Sequence, residues 1–176
     1  MLTLDFEDIR LSNEEFNKLQ LIDYSIFFLS GVSIGVSVIS QELEYFYGKS
    51  EGIESNVNLM LRLNLVATLL LCFTLVHRAL QYINWGISKR YYTRIDTLYT
   101  TKHFKQLCLE IIIALIGPYE FFNNLKVEEY SSQLDLTYHT ALNEWLSVLG
   151  MFKVFFWLRA IMYLTKFTKP RAQRVC

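Results

Sequence analysis

The chain has 176 residues, of which 17 are basic and 17 acidic, so its formal net charge is zero, and 52% are hydrophobic. That balance gives no global signal for nucleic acid or an acidic partner, and a mean hydropathy of +0.23 is high for a soluble domain. Cys72, Cys108 and Cys176 show no metal-like spacing, and the first two sit in apolar runs as small hydrophobes, which excludes a disulfide scaffold.

Residues 1–23 form an acidic arm, with Asp5, Glu7, Asp8, Glu14, Glu15 and Asp23 against Arg10 and Lys18. This composition argues against a mitochondrial transit peptide or a secretory signal, though an uncleaved mitochondrial inner-membrane address stays open. Ser12 and Glu15 have capping-box spacing, and Phe16, Leu19 and Ile22 follow at helical intervals, which predicts a short amphipathic surface helix.

Residues 24–40 are uncharged and predict a first membrane span. Ser30, Ser33, Ser37 and Ser40 repeat on one face, and Gly31 and Gly35 make a small-xxx-small step beside it. Small residues let helices approach closely where lipid supplies no hydrophobic drive between them, so this face is expected to pack on another helix. A polar loop, residues 41–58, leads to a second span over 59–80. Arg62 near its start can snorkel, His77 and Arg78 mark its exit, and Asn64 and Thr68 share a face that can hydrogen-bond across helices.

Residues 81–105 are basic, with Lys89, Arg90, Arg94, Lys102 and Lys105 among Trp85, Tyr91, Tyr92 and Tyr99. Beside a membrane segment this pattern predicts lipid-headgroup anchoring rather than nucleic-acid binding, and bound phospholipid is the one cofactor-like molecule it admits. A short third span is expected over 106–122, with Glu110 on the face of Ala114 and Gly117 and with Pro118 ending or kinking the helix. An acidic loop, 123–140, follows.

The last span, 142–164, carries Lys153 and Arg159 inside its apolar run. A charge at such depth costs about 2.5–3.5 kcal/mol on insertion scales, so each cation should face protein, water or a headgroup. Glu110 is the acid well inside another span and is the expected partner of Lys153 or Arg159. Residues 166–176 form a basic tail. With four spans, twelve Lys and Arg fall on the side of both termini and the 81–105 linker, against Lys49 and Lys126 on the other, which places both termini in the cytoplasm or its equivalent. The expected fold is an all-α, four-span membrane bundle, 24–165, with an N-terminal surface helix.

The order and spacing of several pieces resemble the first four segments of small-conductance calcium-activated potassium channels. They are VSVISQ (36–41), Leu61 with Arg62, His77 with Arg78, LEIIIALIGPYEFF (109–122), and then Leu146, Ser147, Met151, Phe152, Leu158, Arg159, Lys166 and Phe167. The resemblance runs over residues 25–167 and implies a voltage-sensor-like domain with little voltage sensitivity. Two cations, at about 2.3 kcal/mol each per 100 mV, agree with that. A pore needs a Thr-Val-Gly-Tyr-Gly type filter, which is absent from 1–176, and the family's calmodulin-binding region is absent too. The expectation is a sensor-like subunit of a larger membrane assembly, without a pore of its own.

No Gly-rich phosphate loop, HExxH, CxxC or supported Ser-His-Asp order occurs. No catalytic, cofactor-binding or metal residue is therefore assigned. A proton-conducting domain would rest on Glu110 alone.

Overall fold

Long runs without proline let the first half of the chain form two unusually long helices. The computed structural model describes residues 2–47, 51–93, 95–101, 103–123, 125–131 and 136–164. Helix α1 spans Leu2–Tyr47 and helix α2 spans Glu51–Ser88. At 1.5 Å per residue these are about 69 and 57 Å long, well beyond a hydrocarbon core of about 30 Å.

The two helices form an antiparallel hairpin whose buried positions recur in heptads. On α1 the rows are Ser12, Leu19, Ile26, Ser33 and Ser40, interleaved with Asp23, Ser30 and Ser37, with Ile22 buried beside them. On α2 the rows are Val57, Asn64, Leu71 and Arg78, interleaved with Leu61, Thr68 and Leu75, with Ala67, Gln81 and Ile83 buried beside them. A 3.5-residue period keeps one seam facing the partner along the whole hairpin, as in a coiled coil. Here the C-terminal part of the α1 seam, Ser30 to Ser40, is serine rather than leucine, and small side chains let backbones approach closely.

This hairpin corrects the expected N-terminal surface helix. Ser12 lies inside α1 and caps nothing, and α1 passes through Asp23 into the apolar stretch without a break. Around Glu15 and Phe16 it packs against the end of α2, where Gln81 Nε2 donates to Glu15 Oε2 and the Phe16 and Trp85 rings lie 6.1 Å apart. The expected 41–58 loop is also helical over most of its length.

Helix α3 spans His103–Leu115, 13 residues or about 20 Å, which is shorter than the expected 106–122 span. Pro118 has no N–H and disfavours helical geometry at Gly117, so the chain bends out of the helix there and runs through an extended Tyr119 to a 3-10 turn at Glu120–Phe122. The expected outer loop holds an antiparallel pair, β1 (Lys126–Ser131) and β2 (Leu136–Ala141), in register from Lys126 opposite Ala141 to Ser131 opposite Leu136.

The last apolar run forms α4 (Leu142–Gly150) and α5 (Val154–Leu164), joined by a 3-10 turn at Met151–Lys153. Segment α4–α5 packs on α1, and α3 packs on α2. Ile22, Ile26, Leu71, Leu75, Leu107, Ala114 and Phe156 form the apolar core between them.

The chain is thus predominantly helical, and three of its helical segments are long and apolar enough to cross a membrane: Arg10–Phe46, Ser55–Ser88 and Leu142–Met162. Their outward faces are apolar, with Phe28 68%, Phe73 72% and Phe152 62% exposed. A water-facing surface would not carry this many large apolar side chains.

Candidate functional site

Two groups of polar side chains are buried between the helices. They lie at different levels of the bundle and are built in different ways.

The first is a charged node to which four helices each contribute one residue: Asp23 from α1, Arg78 from α2, Glu110 from α3 and Arg159 from α5. All four are more than nine-tenths buried. Arg78 Nε donates to Asp23 Oδ1 at 2.6 Å, and Arg78 Nη1 lies 4.0 Å from Glu110 Oε1. Arg159 Nε lies 3.3 Å from the same Asp23 oxygen, and Arg159 Nη1 lies 2.8 Å from Glu110 Oε1. Gln106 Nε2 donates to Glu110 Oε1 from one turn earlier on α3. The Phe156 ring covers the Arg159 guanidinium, with its centroid 5.4 Å from Cζ.

Charge in the node cancels, two carboxylates against two guanidinium groups. Hydrogen bonding does not close as completely. Arg159 is at ion-pair distance from both acids, yet none of its nitrogens is aligned as a hydrogen-bond donor to any of the described residues.

The second group surrounds Lys153, which is 1% exposed. The 3-10 turn at Met151–Lys153 tightens the chain there, and Lys153 Nζ donates to Ser33 Oγ at 2.7 Å. Ser33 Oγ donates to Asn64 Oδ1 at 2.7 Å, and Asn64 Nδ2 donates to the Pro118 carbonyl at 2.8 Å. Among the described residues no carboxylate lies within 4.0 Å of Lys153 Nζ. Gly117 makes room for this relay: a Cβ there would stand 3.3 Å from both Asn64 Nδ2 and Lys153 Nζ.

The relay also supports the break after α3. Non-helical backbone at membrane depth is tolerated where protein groups satisfy it. Here Asn64 meets the Pro118 carbonyl, and Tyr119 N donates to Asn143 Oδ1 at 3.2 Å.

The small-residue face is where the heptads put it. Ser30, Ser33, Ser37 and Ser40 are buried, and Ser37 Oγ donates to Ser147 Oγ at 3.0 Å across to α4. Ser30 bonds back to the Phe27 carbonyl. Gly31 abuts Trp157, with 3.4 Å from an added Cβ to the indole. Gly35 departs from the expectation: an added Cβ meets nothing within 4 Å.

Of the basic linker, Lys89, Arg90 and Lys105 are exposed, while Arg94 and Lys102 lie outside the described residues. The linker is folded rather than extended. Arg90 adopts φ 61° just past α2, and Tyr91 N donates to the Gly86 carbonyl. The Tyr92 ring lies so close over Gly86 that a Cβ would stand 2.2 Å from it, and the Tyr92 hydroxyl is 2.8 Å from His103 Nε2. Two donors from Thr93 hold the Asp96 carboxyl below its ordinary range. This fold brings the start of α3 back against the end of α2.

Between these ends and α5 lies a cavity of about 450 Å³. Arg78, Glu110, Arg159 and Gln106 line it together with His103 and Tyr82, and Ala79, Leu107, Phe155 and Met162 complete its wall. A second space beside Ser33, Ser37, Ser147 and Lys153 is about 10 Å³, at the lower limit for one water. At the far end of the bundle Arg62 makes a two-pronged pair with Glu120, at 2.6 and 2.7 Å, in place of simple snorkelling.

Glu110, Lys153 and Arg159 stand out in the sequence as charges within apolar runs. Asp23, Arg78 and Asn143 do not, since each lies at a run's end or is uncharged, whereas Asn64, read as able to hydrogen-bond across helices, meets Ser33 and the Pro118 carbonyl. The heptad spacing that links Asp23 to Ser30 and Ser37, and Arg78 to Leu71 and Asn64, is the signal that would have placed them inside. Comparison with protein-family models finds no match to this chain, and comparison with curated proteins finds none either.

Proposed function

We propose that the chain is a non-catalytic integral membrane subunit, a four-span, voltage-sensor-like bundle that packs as an accessory component of a larger membrane assembly. The reading is supported chiefly by the charged node. Four segments each spend one charged residue on a mutual lock, which suits a fixed framework. The outward apolar faces are then available for lipid and for neighbouring subunits.

In this reading the broken third segment, α3 with residues 116–122, makes the remaining crossing beside α1, α2 and α4–α5. Arg62 and Arg78 stand sixteen residues apart on α2, about 24 Å, so the Arg62–Glu120 pair and the node mark levels just inside the two interfaces. The exposed basic linker lies beyond the node, which by the positive-inside rule puts that end and both termini on the cytoplasmic or equivalent side. Lipids and other membrane subunits are the partners; no nucleic acid is involved.

Purification of the tagged full chain in mild detergent tests this. A membrane protein recovered in fixed stoichiometry is the expected result, and a chain that runs alone from its native membrane defeats the proposal. A second reading, a pore-less subunit of a potassium channel involved in ion transport, is favoured by one observation: the basic residue of the last helix is held between acids of the first and third. Bilayer recordings of a channel with and without the chain would discard it if currents were unchanged.

A further inference from the structure

The last apolar run is two helices rather than one, and the turn between them rearranges its backbone hydrogen bonds. In an unbroken α-helix the Met151 N–H would meet the Ser147 carbonyl, and the Val154 N–H the Gly150 carbonyl. Here the Met151 N–H goes to the carbonyls of Val148 and Leu149, and the Val154 N–H to those of Met151 and Phe152. The 3-10 turn thus draws two donors away from Ser147 and Gly150. A water inserted into the hydrogen-bond ladder is one of the few causes of such a break.

Lys153 brings the opposite imbalance to the same place. An ammonium has three N–H groups to give, and among the described residues Ser33 Oγ is the acceptor that meets them. The acceptors behind Ser33 are committed, since Asn64 Oδ1 takes the Ser33 hydroxyl and the Pro118 carbonyl takes Asn64 Nδ2. A charged donor left short of acceptors in the interior is costly.

The space of about 10 Å³ lies where these groups converge. Ser33, Ser37, Ser147 and Lys153 line it with Gly117 and Gly150, and the four polar side chains are each more than nine-tenths buried. An apolar defect stays dry, whereas a buried water needs about two to four polar partners, which this wall supplies. The size suits one water and is too small for a chloride ion or an organic ligand.

We propose that one water molecule is built into the last span at this point, accepting a hydrogen bond from Lys153 Nζ and donating to the Ser147 carbonyl. It bridges the two sides of the break and gives the ammonium a second acceptor. The site depends on neither a partner subunit nor a sensor-like role.

The full chain is tested in lipid nanodiscs, with its lysine side chains labelled with ¹⁵N. One slowly exchanging ammonium signal, lost in Lys153→Met, is expected for Lys153. Excitation of water should reach that signal by dipolar transfer, giving a cross-peak that reverses sign between NOE and ROE spectra; proton exchange gives no reversal. Gly150→Ala adds a methyl to the wall of the space, at ordinary contact distances of 3.6 Å from the Ile116 carbonyl oxygen and 3.9 Å from Gly117 Cα. In that variant the cross-peak should be lost while the Lys153 signal remains. Ser147→Thr, which keeps the hydroxyl and adds a methyl, serves if Gly150→Ala does not fold.

A Lys153 ammonium without water contact overturns the proposal. So does a signal lost to rapid exchange, the mark of bulk water rather than one held molecule. A cross-peak undiminished in Gly150→Ala belongs to the Ser33 hydroxyl proton and leaves no water site. Replacing chloride by gluconate should leave the signal in place, and a shift would make the ligand a halide ion instead.

Discussion

The node and the Lys153 site confront the same problem, a cation withdrawn from water, and answer it differently. At the node each guanidinium has carboxylates at ion-pair distance, and the four charges sum to zero. Lys153 has a serine hydroxyl, with an asparagine and a backbone carbonyl behind it, and no counter-ion among the described residues. Counter-charge holds a buried ion by attraction that is strong at low dielectric; dipoles compensate it only in part. Removing charge should therefore have opposite consequences at the two places.

The largest effect is expected at the node. Glu110→Gln leaves a buried guanidinium without one of its carboxylates and should destabilise the bundle by about 3–5 kcal/mol, measured by denaturant unfolding in mixed micelles. Lys153→Met keeps the length and removes the unmatched charge, so it should raise stability, by about 1–3 kcal/mol. A loss comparable to that of Glu110→Gln would mean that the two sites are alike after all. Gly117→Ala sharpens the contrast from the steric side: the Asn64 and Lys153 groups must give by a few tenths of an ångström. A cost of about 1–2 kcal/mol follows, and it should shrink in the Lys153→Met background if the crowding is against Nζ. The smallest effect belongs to the neutral pair below Lys153. A double-mutant cycle on Ser37→Ala and Ser147→Ala should return a coupling of about 0.6 kcal/mol, the size usual for hydroxyl contacts between membrane helices.

The linker shows how local chemistry supports the node from outside the bundle. Gly86 admits the Tyr92 ring, Tyr92 reaches His103, and His103 begins the helix that carries Glu110 seven residues on. About two turns of helix thus connect a glycine on α2 to the acid that meets Arg159.

Composition and periodicity were enough to read the predominance of helix, the apolar runs and the charges inside them, because those properties belong to consecutive residues. Glu110, Lys153 and Arg159 are conspicuous for that reason alone. Which of the two cations the acid meets was not legible, nor were Asp23 and Arg78 as members of the same node. Those facts depend on the register of α1 against α2 and on the packing that takes Lys153 to Ser33 and Arg159 to Asp23 and Glu110. The shortened third helix is the same lesson on the backbone. Pro118 announces a break, but a chain can leave helical geometry there because Asn64 and Asn143, from two other helices, take up the hydrogen bonds it gives up. Contacts between distant residues are set by packing, and no local pattern encodes them.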